Sequence, residues 1–197
     1  SWTMALPLIS QRVVRGSTVR RETLMILRYN DSYPIMEGAG QRAIADMIEN
    51  IFVEDIVDQG GVKPQSVRTI EDVSLDGVLI DIKTKDVDRS FSMPNLISID
   101  RLRKNFDRTI RYVFIDYSVN DNEVSIVGVT TKDIHEIPWD CLAIQNLGLG
   151  QLQLAKDIGS AVYNGTKEEW FDQLKAESYS FYEKQIAKFE KKKKELL

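Results

Sequence analysis

Cysteine and histidine each occur once, as Cys141 and His135. A single thiol excludes an internal disulfide framework and any multi-cysteine zinc cluster, and a single imidazole removes most histidine-based metal centres. A catalytic metal in this chain would have to rest on oxygen ligands, a set that suits Mg²⁺. Long hydrophobic runs are also missing. The apolar stretch from Met4 to Ile9 is broken by Pro7 and too short for a secretory leader. Nothing approaches the roughly 18 consecutive apolar residues of a membrane span. The expectation is a soluble, cytoplasmic protein with no membrane partner. Nor does either charge dominate: 26 basic residues stand against 30 acidic ones, a net charge of −4. That balance fits neither intrinsic disorder nor a strongly basic architectural protein. It leaves room for a DNA enzyme, because a local basic groove sets phosphate contact and a metal site needs carboxylates of its own.

What is present is enough apolar material, 43% of 197 residues, to bury one sizeable core, so residues 1–197 are read as a single domain. From residue 40 to 52 the apolar positions Ala43, Ile44, Met47, Ile48, Ile51 and Phe52 fall on one stripe of a helix. Between residues 67 and 84 the pattern shifts to short β-branched runs joined by Asp76-Gly77, a strong two-residue hairpin signal. Residues 95–110 read as a helix with Leu96, Ile99, Leu102, Phe106 and Ile110 on one side. Arg101, Arg103, Lys104, Arg108 and Arg111 make this region basic, as phosphate contacts would require. Two more strands are expected over 112–119 and 123–129, around Asn120-Asp121-Asn122. A last helix over 166–197 opens with the capping box Thr166-Lys-Glu-Glu169 and carries Trp170, Leu174, Phe181, Ile186 and Phe189.

The chemistry concentrates on Asp81-Ile82-Lys83. Side chains alternate along a strand, so Asp81 and Lys83 project from one face while Ile80 and Ile82 point into the core. A two-residue turn at Asp76-Gly77 pairs residues whose numbers sum to about 153, which sets Asp72 opposite Asp81. Directly opposed carboxylates weaken a sheet. A divalent cation is the natural compensation. Two carboxylates that hold Mg²⁺ beside a phosphate, with a lysine to orient or deprotonate a water, make a set for phosphodiester hydrolysis. Asp-x-Lys alone also describes an ordinary solvated strand face, and Glu71 and Asp76 rival Asp72 as the first acid.

Two separated blocks add specificity. The first is Leu79-Ile-Asp-Ile-Lys-Thr-Lys followed by Met93-Pro-Asn-Leu-Ile-Ser98. The second is Trp139, Gln151-Leu-Gln153, Lys156-Asp157-Ile158 and Asn164-Gly-Thr-Lys-Glu-Glu-Trp170, leading into the last helix. In these blocks the chain resembles the type II restriction endonucleases of the PD-(D/E)XK superfamily. The resemblance implies a restriction-endonuclease-like α/β fold, a mixed β-sheet flanked by helices. It implies Asp72 and Asp81 as catalytic metal ligands for Mg²⁺ and Lys83 as the catalytic lysine. It further implies a homodimer that embraces double-stranded DNA, reads a short palindrome and leaves 5′-phosphates. Related nucleases place a helix-borne acid near the metal; Glu37 is taken as that residue, with Glu49 as the alternative. The resemblance sets a DNA-contacting loop just past the catalytic strand, assigned to Arg89, Phe91, Ser92, Met93 and Asn95, where Asn95 could equally be a helix cap. Ser92 stands where the relative has a DNA-wedging glutamine. Gln151 and Gln153, two apart on a strand, are assigned to DNA as well. Two other readings remain open: a structure-specific or repair nuclease on the same fold, and a DNA-binding module without activity.

Overall fold

The computed structural model describes residues 31–197, so the stretch from Met4 to Ile9 lies outside the described residues. Within them the strands are β1 (Ser32–Pro34), β2 (Val73–Leu75), β3 (Val78–Asp86), β4 (Asn95–Ser98), β5 (Thr109–Asn120), β6 (Glu123–Asp133), β7 (Leu142–Gln145) and β8 (Gln151–Leu154). The helices are α1 (Gln41–Asp58), α2 (Ile99–Lys104) and α3 (Lys167–Glu195). These elements form two compact units: residues 31–90 with Arg108–Ile134, and Phe91–Asp107 with His135–Leu197.

The first unit is built on a five-stranded sheet in the order β1-β6-β5-β3-β2. Strands β3 and β5 run parallel and the other neighbours antiparallel, so the sheet is mixed, as expected for the α/β class. Helix α1 follows the apolar stripe beyond its sequence-predicted end at residue 52, because Val53 and Ile56 continue it. Ile44, Ile48, Phe52 and Ile56 pack with Ile80 and Ile82 of β3 and with Val113 and Ile115 of β5. Full burial of side chains of this size contributes about 1.5–3 kcal/mol each. Of the run expected to begin at residue 67, only Val73 to Leu75 forms a strand. The hairpin itself holds: Asp76 (φ 51°) and Gly77 (φ 79°) both adopt left-handed backbone, as a type I′ turn requires. The pairs Val73–Ile80, Ser74–Leu79 and Leu75–Val78 each sum to 153.

Arg111 departs from its expected role as a phosphate contact on a basic helix. It lies on β5, 9% exposed, with Nε 2.6 Å from Oδ1 of its cross-strand neighbour Asp133 and a second bond of 3.3 Å to Oδ2. A planar guanidinium matched to a carboxylate in this way serves the sheet, not DNA.

The second unit contains a three-stranded antiparallel sheet, β4-β8-β7. Here the single helix expected over 95–110 is overturned. Residues 95–98 form a strand against β8, and Ser98 then starts a short helix, its Oγ accepting from the Arg101 N–H at 3.2 Å. The consecutive Leu96 and Ile97 are both buried, whereas Phe106, which a continuous helix would have turned inward, is 61% exposed. Pairing with a partner more than fifty residues away outweighs the local helical spacing.

Helix α3 is anchored by its first turns. Trp170 is fully buried and its Nε1 donates to the Ile137 carbonyl at 2.8 Å, with the Trp139 ring tilted against it, centroids 4.8 Å apart. Ile186 and Phe189, counted among the apolar marks of this helix, are exposed. The capping box forms as expected: the Thr166 hydroxyl accepts from the Glu169 N–H at 3.1 Å. Removing it with Thr166→Ala is expected to cost about 1 kcal/mol. In a chain of this length that lowers the thermal midpoint by about 2–4 °C. A midpoint unchanged in a calorimetric scan would show that Trp170 alone fixes the start of the helix. Among the described residues no helix is long and apolar enough to cross a membrane.

Candidate functional site

Alternation along β3 divides its side chains as the sequence implies. Ile80 and Ile82 enter the core with α1, and Asp81 and Lys83 share the opposite face. Lys83 Nζ lies 3.5 Å from Asp81 Oδ2. The short strand β2 stops at Val73, and Asp72, the residue before it, continues the pairing by two different groups. Its N–H donates to the Ile80 carbonyl at 2.9 Å, and its carboxylate Oδ2 accepts from the Ile82 N–H at 2.7 Å. A side chain thus takes the place of the next ladder bond and holds the Asp72 carboxyl at the edge of β3. There its charge acts on both Asp81 and Glu49. Of the rivals, Asp76 is exposed in the turn.

Crowding shows in the acids. Burial first, then the charge and hydrogen bond of Asp72, push Asp81 up to about 8, against the opposing pull of Lys83. Burial again leads for Glu49, followed by Asp72 and Asp46, and its carboxyl rises to about 7 while Lys83 draws it down. Such shifts mark acids withdrawn from water and crowded together, more than Lys83 alone offsets.

Of the two helix-associated acids, the structure brings Glu49 to the cluster. It stands beside Ile48 on the flank of the buried stripe of α1, half-buried, and reaches Asp72. Glu37, taken from the sequence as the fourth catalytic residue, sits exposed in the turn before α1. The physical difference is helix phase: a residue next to the buried stripe is carried toward the sheet, whereas one in the preceding turn is not.

Among the described residues no set of three or more His, Cys, Asp or Glu side chains stands at full metal-cage spacing. Mg²⁺ does not ask for one, since it binds through one or two carboxylates and completes its shell with water and phosphate oxygens. The donors fit that habit: Asp72 held by the Ile82 N–H beside Asp81, Glu49 close enough to feel the charge of Asp72, and no sulfur or imidazole among them.

One neighbour was not legible in the sequence. Parallel pairing of β3 with β5 sets Tyr112 beside Asp81. Tyr112 is fully buried, and among the described residues its hydroxyl has no hydrogen-bond partner. Burial, and then the charges of Asp81 and Asp72, raise its pKa well above the ordinary value, so it remains a proton donor.

The residues assigned to DNA contact are placed as follows. Arg89, Phe91, Ser92, Met93 and Asn95 are all exposed, and Arg89 Nε lies 3.5 Å from Asp86 Oδ2. Asn95 is the first residue of β4 rather than a helix cap. It pairs in register with Gln153, whose amide nitrogen donates to the Asn95 side-chain carbonyl. Gln151 and Gln153 are half-buried on one face of β8, with Leu152 and Leu154 buried on the other. Cys141 is buried and free.

No protein-family model matches the chain. It is similar to the type II restriction enzyme HindII of Haemophilus influenzae, with 25% identity over 133 aligned positions, covering 62% of this chain and 50% of that enzyme. The chain therefore spans about half the length of the curated relative it matches. Among solved structures, the NlaIV restriction endonuclease superposes with a TM-score of 0.49 at 11% identity, covering 74% of this chain and 67% of the other.

Proposed function

We propose that the chain is a Mg²⁺-dependent endonuclease of the type II restriction class, on the PD-(D/E)XK plan and most like HincII. In this reading it cuts double-stranded DNA as a homodimer at a short palindromic site and leaves 5′-phosphates. The observation that carries the reading is the convergence of Asp72, Asp81 and Lys83 at one edge of β3, built by a hairpin register and a side-chain ladder bond. The likeness to HindII supports it.

A divalent cation, when bound, lowers the pKa of a coordinated water and offsets charge that develops on the phosphate. Asp72 and Asp81 would hold it, with Glu49 supporting Asp72 from α1. Lys83 orients the attacking water through the N–H donors of its Nζ. Attack of the water oxygen on phosphorus breaks the bond to the 3′ oxygen, leaving a 3′-hydroxyl and a 5′-phosphate. Arg89, Phe91, Ser92, Met93 and Asn95, with Gln151 and Gln153, are the proposed DNA contacts, the amides reading base edges. Two-fold cutting of a palindrome requires two such sites in an isologous dimer.

The test is incubation of the protein with plasmid in Mg²⁺, in Ca²⁺ and in chelator, followed by sequencing of the fragment ends. Discrete 5′-phosphorylated ends at one short motif are expected in Mg²⁺. Ca²⁺ should support binding with little turnover, and chelator neither. Cuts confined to branched structures would favour a repair nuclease, and binding without cuts in any metal would leave a DNA-binding module.

A further inference from the structure

We propose that Tyr112 is a positioning residue for the acid pair: its hydroxyl supplies, through one bound water, the hydrogen bond that holds the Asp81 carboxyl in the orientation that ligates a divalent cation. The proposal rests on the metal-dependent reading above and deepens it.

Three observations carry it. The first is an orphaned group. The Tyr112 hydroxyl is buried with no partner among the described residues, a costly state that native structures resolve with a bound water or ligand. The ring needs no hydroxyl for its packing, since it stacks on Phe114 at 5.8 Å and 16°, a contact that phenylalanine would make equally well. The second is place. Tyr112 is the register partner of Asp81 on the neighbouring parallel strand, so the two side chains leave the same face of the sheet, and the charges of both Asp81 and Asp72 act on the phenol. Thr131, whose Oγ1 is also buried without a partner, lies instead in the row of Val113 and Ile82, on the face that meets α1. The third is chemistry. A phenol hydroxyl is a hydrogen-bond donor, and outer donors to a ligating carboxylate fix its orientation and hence metal affinity.

Tyr112→Phe removes the hydroxyl and nothing else. Titration of the full chain with Mn²⁺, followed by the electron paramagnetic resonance signal of the free ion, is expected to show affinity about tenfold weaker than wild type. The Mg²⁺ concentration for half-maximal cleavage should rise by the same factor, with the rate at saturating Mg²⁺ staying close to wild type. Equal Mn²⁺ affinity in the two proteins, above all with a higher melting temperature in the variant, would overturn the proposal and leave a hydroxyl that merely lacks a partner. Absence of Mn²⁺ binding by wild type itself would instead sink the metal-dependent reading, and this inference with it.

Discussion

Lys83→Ala and Asp81→Ala are each expected to lower DNA cleavage in Mg²⁺ by on the order of a hundredfold or more, with the fold intact. The size follows from what each atom does. Lys83 Nζ stands 3.5 Å from Asp81 Oδ2 on the strand face turned away from α1, so loss of the amine removes the group that orients the water without opening the hydrophobic core. Asp81 is 9% exposed and pushed up to about 8 by burial and by Asp72, so its removal relieves crowding among the acids while it deletes a proposed ligand. A stability argument therefore predicts little harm from Asp81→Ala, whereas the mechanism predicts near-complete loss of activity. Time courses of supercoiled plasmid cleavage, with melting curves on the same preparations, read the two effects separately. Lys63→Ala serves as a control, since Lys63 is an exposed residue paired with Glu54. Wild-type rates from either site variant would remove Asp81 and Lys83 from the active site.

Glu49→Gln is expected to reduce cleavage roughly ten- to a hundredfold and to raise the Mg²⁺ requirement, whereas Glu37→Gln should leave both near wild type. Glu49 feels the charges of Asp72, Asp46 and Lys83; Glu37 is exposed in the turn before α1. Glutamine keeps the length and hydrogen-bonding reach of the side chain and removes only its capacity to be an anion. A loss of activity therefore reports on charge near the cluster, not on packing against α1. The reverse outcome, a strong defect in Glu37→Gln and none in Glu49→Gln, would transfer the third acid to the turn.

The residues legible in the sequence are those whose placement depends on short-range geometry. Strand alternation alone separates Asp81 and Lys83 from Ile80 and Ile82, and the left-handed preference of Asp76-Gly77 sets a register that brings Asp72 to Asp81. The helical stripe of Ile44, Ile48 and Phe52 and the Thr166 cap are legible for the same reason: each repeats or bonds within a few residues. Where a distant partner decides, the local pattern misleads. The spacing of Leu96, Ile99, Leu102 and Phe106 fits a helix, yet pairing with β8 draws residues 95–98 into a strand, and Arg111 moves from an expected phosphate contact to a buried bond with Asp133. Tertiary structure alone set Glu49, rather than Glu37, near Asp72, because the rotation of α1 about its axis is set by how its apolar stripe meets β3 and β5. It alone set Tyr112 beside Asp81, because the register of two parallel strands is fixed by the packing of both faces, and no turn between them records it.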